Sequence, residues 1–364
     1  MKALAVSPRL AAAIRRVTVW SGLAALLACP AFPRAKTDVI VMKNGDRITG
    51  EVKSLENGIL LVDLDYIDGS ISIDWLKVAR LESPHLFLVQ LQDGSIYSAR
   101  VVTPEALSGN PSKITIEPAG QASMILDKSK VVAMTQTSES LWRRFSGDIS
   151  LGATYSKGNS TTQYNFGSEL DYLETRWGAK LTYGSNLSSS TGATTATRNQ
   201  LDLIAYRLTP WQNYFYAGLG DFLQSSVQGI QRQTNLGIGL GRFLKNTNRI
   251  RFSVIGGVGW QGTNYVQEAQ NQQSQNTAVA IVSSSLQVFS FKKTRLNLNA
   301  SMLPAVTQRG RTFSKVNATY YLKLFGKVDW NFSFYGNWDT QPPAHLPGSD
   351  YGSSTGLSWS FGNK

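Results

Sequence analysis

Residues 328–335, Val-Asp-Trp-Asn-Phe-Ser-Phe-Tyr, alternate between strongly apolar side chains and more polar ones. Because successive side chains of a β-strand point to opposite faces, a strand here would carry Trp330, Phe332 and Phe334 on one face and Asn331 and Ser333 on the other. Asn and Ser, rather than Lys and Glu, suit the wet interior of a membrane barrel. The stretch therefore predicts a transmembrane β-strand.

The same alternation recurs on both sides of this stretch throughout residues 147–364. It marks twelve segments of 10–15 residues, longer than the five or six residues usual in soluble sheets and long enough to cross a bilayer. The segments fall near 147–156, 161–174, 176–188, 197–208, 213–225, 231–243, 249–263, 276–289, 293–305, 312–324, 327–338 and 350–361. We predict an all-β chain with a twelve-stranded antiparallel transmembrane β-barrel over residues 147–364.

The connections between these segments alternate in length. Those after segments 2, 4, 6, 8 and 10 are tight, whereas those after segments 3, 7 and 11 are longer. Outer-membrane barrels have short periplasmic turns and longer extracellular loops. We therefore expect the outer membrane of a Gram-negative bacterium as the location, with lipid as a partner and both ends of the barrel segment on the periplasmic side.

The last segment resembles the signal that the barrel-assembly machinery binds. It places Gly356, Trp359 and Phe361 in an alternating pattern close to the end of the chain. The pattern departs from the common form because three residues follow the last aromatic one. We expect the assembly machinery to be a partner of the unfolded chain.

Residues 1–35 predict a secretory signal peptide. Lys2 and three arginines precede an apolar stretch of 17–28, and small residues and prolines follow. A membrane anchor and a lipoprotein with Cys29 as the lipid acceptor are the alternatives. Cys29 is the one cysteine and His85 and His345 are the two histidines, so most metal, disulfide and thiol chemistry is excluded, and we expect neither a cofactor nor a metal.

Residues 36–140 predict a small periplasmic β-module built from two weak repeats. Asn44-Gly45 is a strong hairpin signal, because a type I′ turn needs a positive φ at both central residues. Asp93-Gly94 repeats it 49 residues later, and Lys77-Val78 has a counterpart in Lys130-Val131. The repeats suggest SH3-like or Sm-like barrels. Residues 36–146 carry 12 basic and 14 acidic residues, so we expect an envelope protein rather than a nucleic acid as the partner.

The sequence resembles the domain-of-unknown-function family 481. The resemblance rests on Lys-Asn-Gly-Asp-Arg-Ile-Thr-Gly-Glu-Val (43–52) and on Gly-Asp-Ile-Ser-Leu-Gly-Ala-Thr-Tyr-Ser-Lys-Gly-Asn-Ser (147–160). Members are often called salt-induced outer-membrane proteins. The resemblance implies an outer-membrane location and transfers no catalytic residue.

Charge suggests what the barrel lumen does. Residues 147–364 hold 19 basic and 10 acidic residues. Alternation places eleven of these side chains in the lumen: Arg176, Lys180, Arg251, Arg295, Lys315, Lys323, Lys327, Glu169, Asp171, Asp202 and Asp329. Because a ring of charge in a pore favours counter-ions, this net positive set predicts a narrow, porin-like passive channel for small solutes that leans toward anions.

Two other functions stay open at this point. In the first, the charged residues pair across a closed structural barrel, and the periplasmic module binds an envelope partner. In the second, which we favour least, His345 serves an outer-membrane hydrolase, with Asp339 and Asp350 near it in sequence. No serine or aspartate motif supports catalysis, so we expect a protein that is not an enzyme.

Overall fold

The computed structural model describes residues 36–56, 58–67, 70–102, 112–136, 145–156, 161–174, 176–190, 194–209, 213–266, 274–290, 294–343 and 345–361. The predicted signal peptide, with Cys29, lies outside the described residues. None of the helices formed by the described residues is long and apolar enough to cross a membrane.

The N-terminal module is a small barrel-like sheet. Its strands are β1 (Asp38–Met42), β2 (Arg47–Glu56), β3 (Ile59–Asp63), β4 (Ser70–Asp74), β5 (Val78–Leu91), β6 (Ile96–Val102), β7 (Lys113–Pro118), β8 (Met124–Asp127) and β9 (Val131–Gln136). Strands β1 and β9 each pair with both β2 and β5, and this pairing closes a ring of four strands. The apolar side chains inside it, including Leu60, Trp75, Phe87 and Met134, are fully buried.

The two halves of the module repeat the same hairpin. Gly45 and Gly94 have φ angles of 94° and 88°, whereas Asn44 and Asp93 do not have positive φ. The N–H of Gly45 donates to the carbonyl of Met42 at 3.0 Å, and that of Gly94 to Leu91 at 2.9 Å, so each hairpin turns through a type I turn followed by a left-handed glycine rather than through the predicted type I′ turn. The backbone N–H of Lys43 donates to the carbonyl of Lys77 at 2.9 Å, and Gln92 donates to Lys130 in the same way at 2.8 Å. The predicted doubled module is therefore confirmed, with β5 shared by both halves. His85 lies within β5 at an irregularity in its pairing with β6.

The second part of the chain is a closed antiparallel barrel of twelve strands, as predicted. Its strands are β10 (Phe145–Ser156), β11 (Thr161–Leu173), β12 (Trp177–Ser189), β13 (Ala196–Leu208), β14 (Tyr214–Ser225), β15 (Ile230–Asn246), β16 (Ile250–Tyr265), β17 (Ser274–Ser290), β18 (Thr294–Pro304), β19 (Thr312–Phe325), β20 (Val328–Asp339) and β21 (Ser349–Phe361). Every strand is within three residues of its predicted bounds. The ring closes where β10 pairs with β21.

The outer surface of the barrel is apolar. Leu151, Ile238, Val258, Phe332 and Leu357 are among its exposed large side chains, and each comes from the apolar face that alternation defines. Trp177, Tyr214 and Trp359 are exposed near strand ends, where a girdle of aromatic residues is expected. The lipid of a bilayer solvates a closed cylinder with apolar side chains on its outer surface, whereas water does not.

Candidate functional site in the barrel lumen

A cavity of about 1100 Å³ occupies the lumen. Its wall comes from the inward faces of the barrel strands and also from the module, which contributes Glu56, Ile59, Leu61, Gln90 and Thr135 among others. The cavity is thus lined by two parts of the chain rather than by the barrel alone.

The module is joined to the short-turn end of the barrel by hydrogen bonds. The side-chain amide of Asn248, in the turn between β15 and β16, donates to the carbonyl of Val131 at 2.9 Å. Asn246 donates to the carbonyl of Leu91 at 3.3 Å, and the guanidinium of Arg251 donates to the Gln90 side chain at 3.3 Å. We call these contacts the seam.

One apolar side chain of the module extends the seam into the lumen. Ile96 packs against a cluster that includes Phe215, Ile255 and Phe243, all on inward faces of β14 to β16. A second inward cluster lies beyond it, where Val279, Ile281 and Leu303 pack together. The sequence predicts an inward face rich in Asn, Gln, Ser, Thr and Gly. At β13 to β19, apolar side chains also fill part of the interior.

Glycines on the lumen face make room for this packing. A Cβ on Gly237 would lie 2.3 Å from Cδ1 of Ile281, and one on Gly259 would lie 2.9 Å from the same atom. The side chain that fills this space comes from β17, which is the neighbour of β16.

Ion pairs cross the rest of the lumen. Lys315 on β19 reaches Asp202 on β13, six strands away around the ring, at 3.2 Å between Nζ and Oδ1, and it also contacts Asp221. Arg198 on β13 meets Asp350 on β21 at 3.3 Å. These side chains are mostly buried. Each pair connects strands that are not neighbours in the barrel wall.

Further pairs lie nearer the seam. Lys180 approaches Glu169 at 2.7 Å and Asp171 at 3.9 Å. Arg295 approaches Asp148 at 3.6 Å, and its guanidinium carbon lies 4.0 Å from the centre of the Tyr321 ring. Most of the buried lumen cations are therefore neutralised within the wall.

The structure places ten of the eleven predicted lumen residues on the cavity. Lys180, Arg251, Arg295, Lys315, Lys323, Lys327, Glu169, Asp171, Asp202 and Asp329 border it. Arg176 does not. It is exposed in the turn before β12, and that strand starts one residue later than predicted.

The predicted positive excess in the lumen is wrong. The sequence-based set omits Asp148, Asp221 and Arg198, together with Glu56 of the module, and all four border the cavity. With them, the described residues on the cavity comprise seven basic and seven acidic side chains. Asp148 and Asp221 occupy inward positions by the same alternation, so counting every charge on those strands finds them. Glu56 cannot be found this way, since it belongs to another part of the chain.

The predicted assembly residues lie at the closure of the barrel. Phe361 pairs with Gly147, and the rings of Trp359 and Phe361 stack with centroids 6.0 Å apart. A Cβ on Gly356 would lie 2.3 Å from the carbonyl oxygen of Leu151, so β21 and β10 need glycine for this close approach. Their role in assembly stays a prediction.

The histidine and acidic residues that could serve a metal or catalytic site lie apart from one another within the described part of the chain. The described residues contain no group of three or more His, Cys, Asp and Glu side chains that could hold a metal ion. His345 is exposed in the loop between β20 and β21, with a φ of 70°. Asp339 and Asp350, its neighbours in sequence, pair instead with Arg311 and Arg198.

The closed cylinder, its apolar outer surface and its polar, charged cavity together define an outer-membrane type of β-barrel. The chain belongs to a family described as "Protein of unknown function, DUF481", which matches residues 149–361. No curated protein matches the chain.

Several solved barrels are similar to this one. The NanC porin is 8% identical with a TM-score of 0.37, and the alignment covers 58% of this chain and 98% of that one. The translocator domain of the autotransporter NalP from Neisseria meningitidis is 12% identical with a TM-score of 0.33, covering 59% and 87%. The protease OmpT from Escherichia coli is 11% identical with a TM-score of 0.21, covering 60% and 96%. With such scores, these likenesses add nothing to what the surface and lumen of the barrel establish.

Proposed function

We propose that the protein is a closed outer-membrane barrel whose lumen is a solvent-filled compartment, with the module as its periplasmic lid. The observation that carries this proposal is the position of the module residues: Gln90 and Thr135 form part of the cavity wall, and the seam fixes them there. The short-turn end of an outer-membrane barrel faces the periplasm, and the module lies at that end.

The opposite end is also obstructed. The ties from Lys315 to Asp202 and from Arg198 to Asp350 cross the lumen on the side of the long loops. Leu346, in the loop between β20 and β21, packs against Leu223, Ile230 and Tyr265. A barrel of twelve strands is narrow enough for single side chains to span it, since its size lies between the filled eight-stranded and the open sixteen-stranded barrels.

The anion-leaning channel is the second candidate, and the volume of the cavity is what favours it. The equal numbers of basic and acidic side chains on that cavity argue against a preference for anions. The partner of the module, which we expect to be an envelope protein, stays a prediction.

Planar-bilayer recordings on the full folded protein test these alternatives. We expect no steady single-channel conductance from the wild type. The combination Lys315→Ala, Asn248→Ala and Arg251→Ala removes a tie across the lumen and loosens the seam, and we expect it to conduct intermittently. Arg232→Gln alters an exposed charge on β15 outside the lumen and should stay silent.

The outcomes separate the candidates clearly. Steady conductance in the wild type would contradict the closed barrel. A reversal potential favouring chloride in a salt gradient would then support the anion-leaning channel, and one near zero would support an unselective pore. Heat-modifiable mobility on a gel verifies that each variant is folded before it is recorded.

A further inference from the structure

The excess basic charge of the barrel lies outside the lumen. Five exposed basic residues lie at the short-turn end, in or next to β12 to β16: Arg176, Arg207, Arg242, Lys245 and Arg249. We call them the basic rim. Because the cavity is balanced in charge, the rim accounts for much of the surplus that the sequence shows for residues 147–364.

Two of these residues are held on the lipid-facing surface by aromatic rings. The guanidinium carbon of Arg207 lies 5.2 Å from the centre of the Trp177 ring, and that of Arg242 lies 4.9 Å from the Tyr214 ring. Both aromatic side chains are exposed and both are cross-strand partners of their arginine. Aromatic side chains in this position mark the level of the lipid headgroups.

The basic rim has few counter-charges within the described residues. None of its five members forms an ion pair with a described side chain. The acidic Glu174 lies in the same turn as Arg176, where it accepts a hydrogen bond from the Tyr172 hydroxyl at 2.9 Å. Asp202 and Asp221, the acidic residues of β13 and β14, face inward and contact Lys315. The described residues of β12 to β16 therefore offer only basic charge to the membrane at this end.

We propose that the basic rim binds the phosphate groups of anionic phospholipid, with Arg207 and Arg242 as its two principal sites. A guanidinium donates two parallel hydrogen bonds to a phosphate, and stacking on Trp177 or Tyr214 holds it in place for that contact. In the orientation proposed above, this lipid lies in the periplasmic leaflet. A basic residue near a bilayer contributes roughly a fivefold gain in affinity for anionic lipid.

Native mass spectrometry of the full protein in micelles containing equal amounts of phosphatidylglycerol and phosphatidylcholine tests the proposal. We expect the wild type to carry phosphatidylglycerol in preference to phosphatidylcholine. The double variant Arg207→Gln, Arg242→Gln should lower that ratio at least fivefold. The double variant Arg207→Lys, Arg242→Lys keeps the charge and should stay within about threefold of the wild type.

Arg232→Gln is the matched control. Arg232 is exposed on β15 like Arg242, but it lies ten residues away toward the long-loop end. Its substitution should leave the lipid ratio unchanged. A wild type without preference, or an equal loss in Arg232→Gln, would overturn the proposal, and both readings are independent of whether the barrel conducts.

Discussion

The module and the barrel are both antiparallel sheets closed into rings, yet they place their apolar side chains on opposite sides. In the module, Leu60 and Phe87 point inward and are fully buried. In the barrel, Ile238 and Leu357 point outward and are exposed. The difference follows from the surroundings, because a sheet buries its apolar face against itself in water and against lipid in a membrane.

Alternation alone cannot tell these two arrangements apart. The length of most strands helps, since β15, β16 and β17 have 17, 16 and 17 residues whereas β3 and β4 have five each. The exception is β5 of the module, which has 14 residues because both halves share it. The chemistry of the polar face also helps, because the inward Asn and Ser residues of the barrel suit a wet lumen. Substitutions that act differently in the two parts can therefore test the comparison.

The largest effect is expected from Phe87→Ala in the module. Phe87 is fully buried on β5, the strand shared by both halves. Loss of a buried Phe costs about 3–5 kcal/mol, because it removes apolar burial and leaves a cavity. We expect hydrogen exchange of β5 and β9 to accelerate in the full protein while the barrel strands keep their protection.

Ile125→Ala provides the control for this change. Ile125 is an exposed residue of the same module, so its truncation should change stability by no more than about 0.5 kcal/mol. If Phe87→Ala deprotected the barrel strands to the same extent as the module, the two parts would form one cooperative unit and the comparison would fail.

The second largest effect on stability is expected from an Ile→Arg substitution on the outer face of the barrel, compared with the same substitution on the surface of the module. Ile238 is 70% exposed on the outer face of β15 and Ile125 is 59% exposed on the module. If lipid covers Ile238, its replacement by Arg costs roughly 2–4 kcal/mol near the middle of the bilayer. Ile125→Arg should be nearly neutral, since that side chain already faces water.

Denaturant unfolding of both variants in phospholipid vesicles, followed by gel mobility without boiling, measures the difference. A similar, small change at both positions would mean that the outer face of β15 is not in contact with lipid. That result would remove the membrane assignment even though the barrel itself is closed.

The sequence predicts the outside of the barrel better than its inside. Outward positions such as Trp330 and Phe332 share one rule, namely contact with lipid, so a local pattern is sufficient to place them. The inside depends on which strands meet across the ring. The packing of Ile281 over Gly237 and the tie from Lys315 to Asp202 involve residues 44 and 113 positions apart, and no local pattern encodes them.

The module poses the same problem at a larger scale. Its hairpins are predictable from Asn44-Gly45 and Asp93-Gly94, because turn chemistry is local. The contacts of Gln90 and Ile96 with the barrel cannot be predicted in this way, since they arise only when the folded module meets the folded barrel. Part of the error in the lumen charge follows from this, as Glu56 lies outside the segment that alternation assigns to the barrel. The rest comes from Asp148 and Asp221, which alternation places inward but which the predicted set omits.

The smallest effect is expected from a buried charge in the module. Lys128 is 4% exposed, and its Nζ donates to the carbonyl of Val78 and lies 5.6 Å from the centre of the Trp75 ring. Burial, with a smaller contribution from nearby Lys43, lowers the pKa of Lys128 to about 8. In the unfolded chain, its pKa is about 10.4. The folded module therefore binds fewer protons than the unfolded chain between these two values.

This difference makes the module more stable as the pH rises from about 8 to about 10, because the folded state sheds the buried proton first. Below pH 8, Lys128 is charged in both states and the cost of burying it is constant. We expect the gain to be about 1–3 kcal/mol, measured as hydrogen-exchange protection of β9 corrected for the intrinsic rate at each pH. Lys128→Met removes the titrating group, so its protection should not rise in this window. Equal pH profiles for wild type and Lys128→Met would show that Lys128 reaches water in the folded module. Its burial would then not govern the stability of the module.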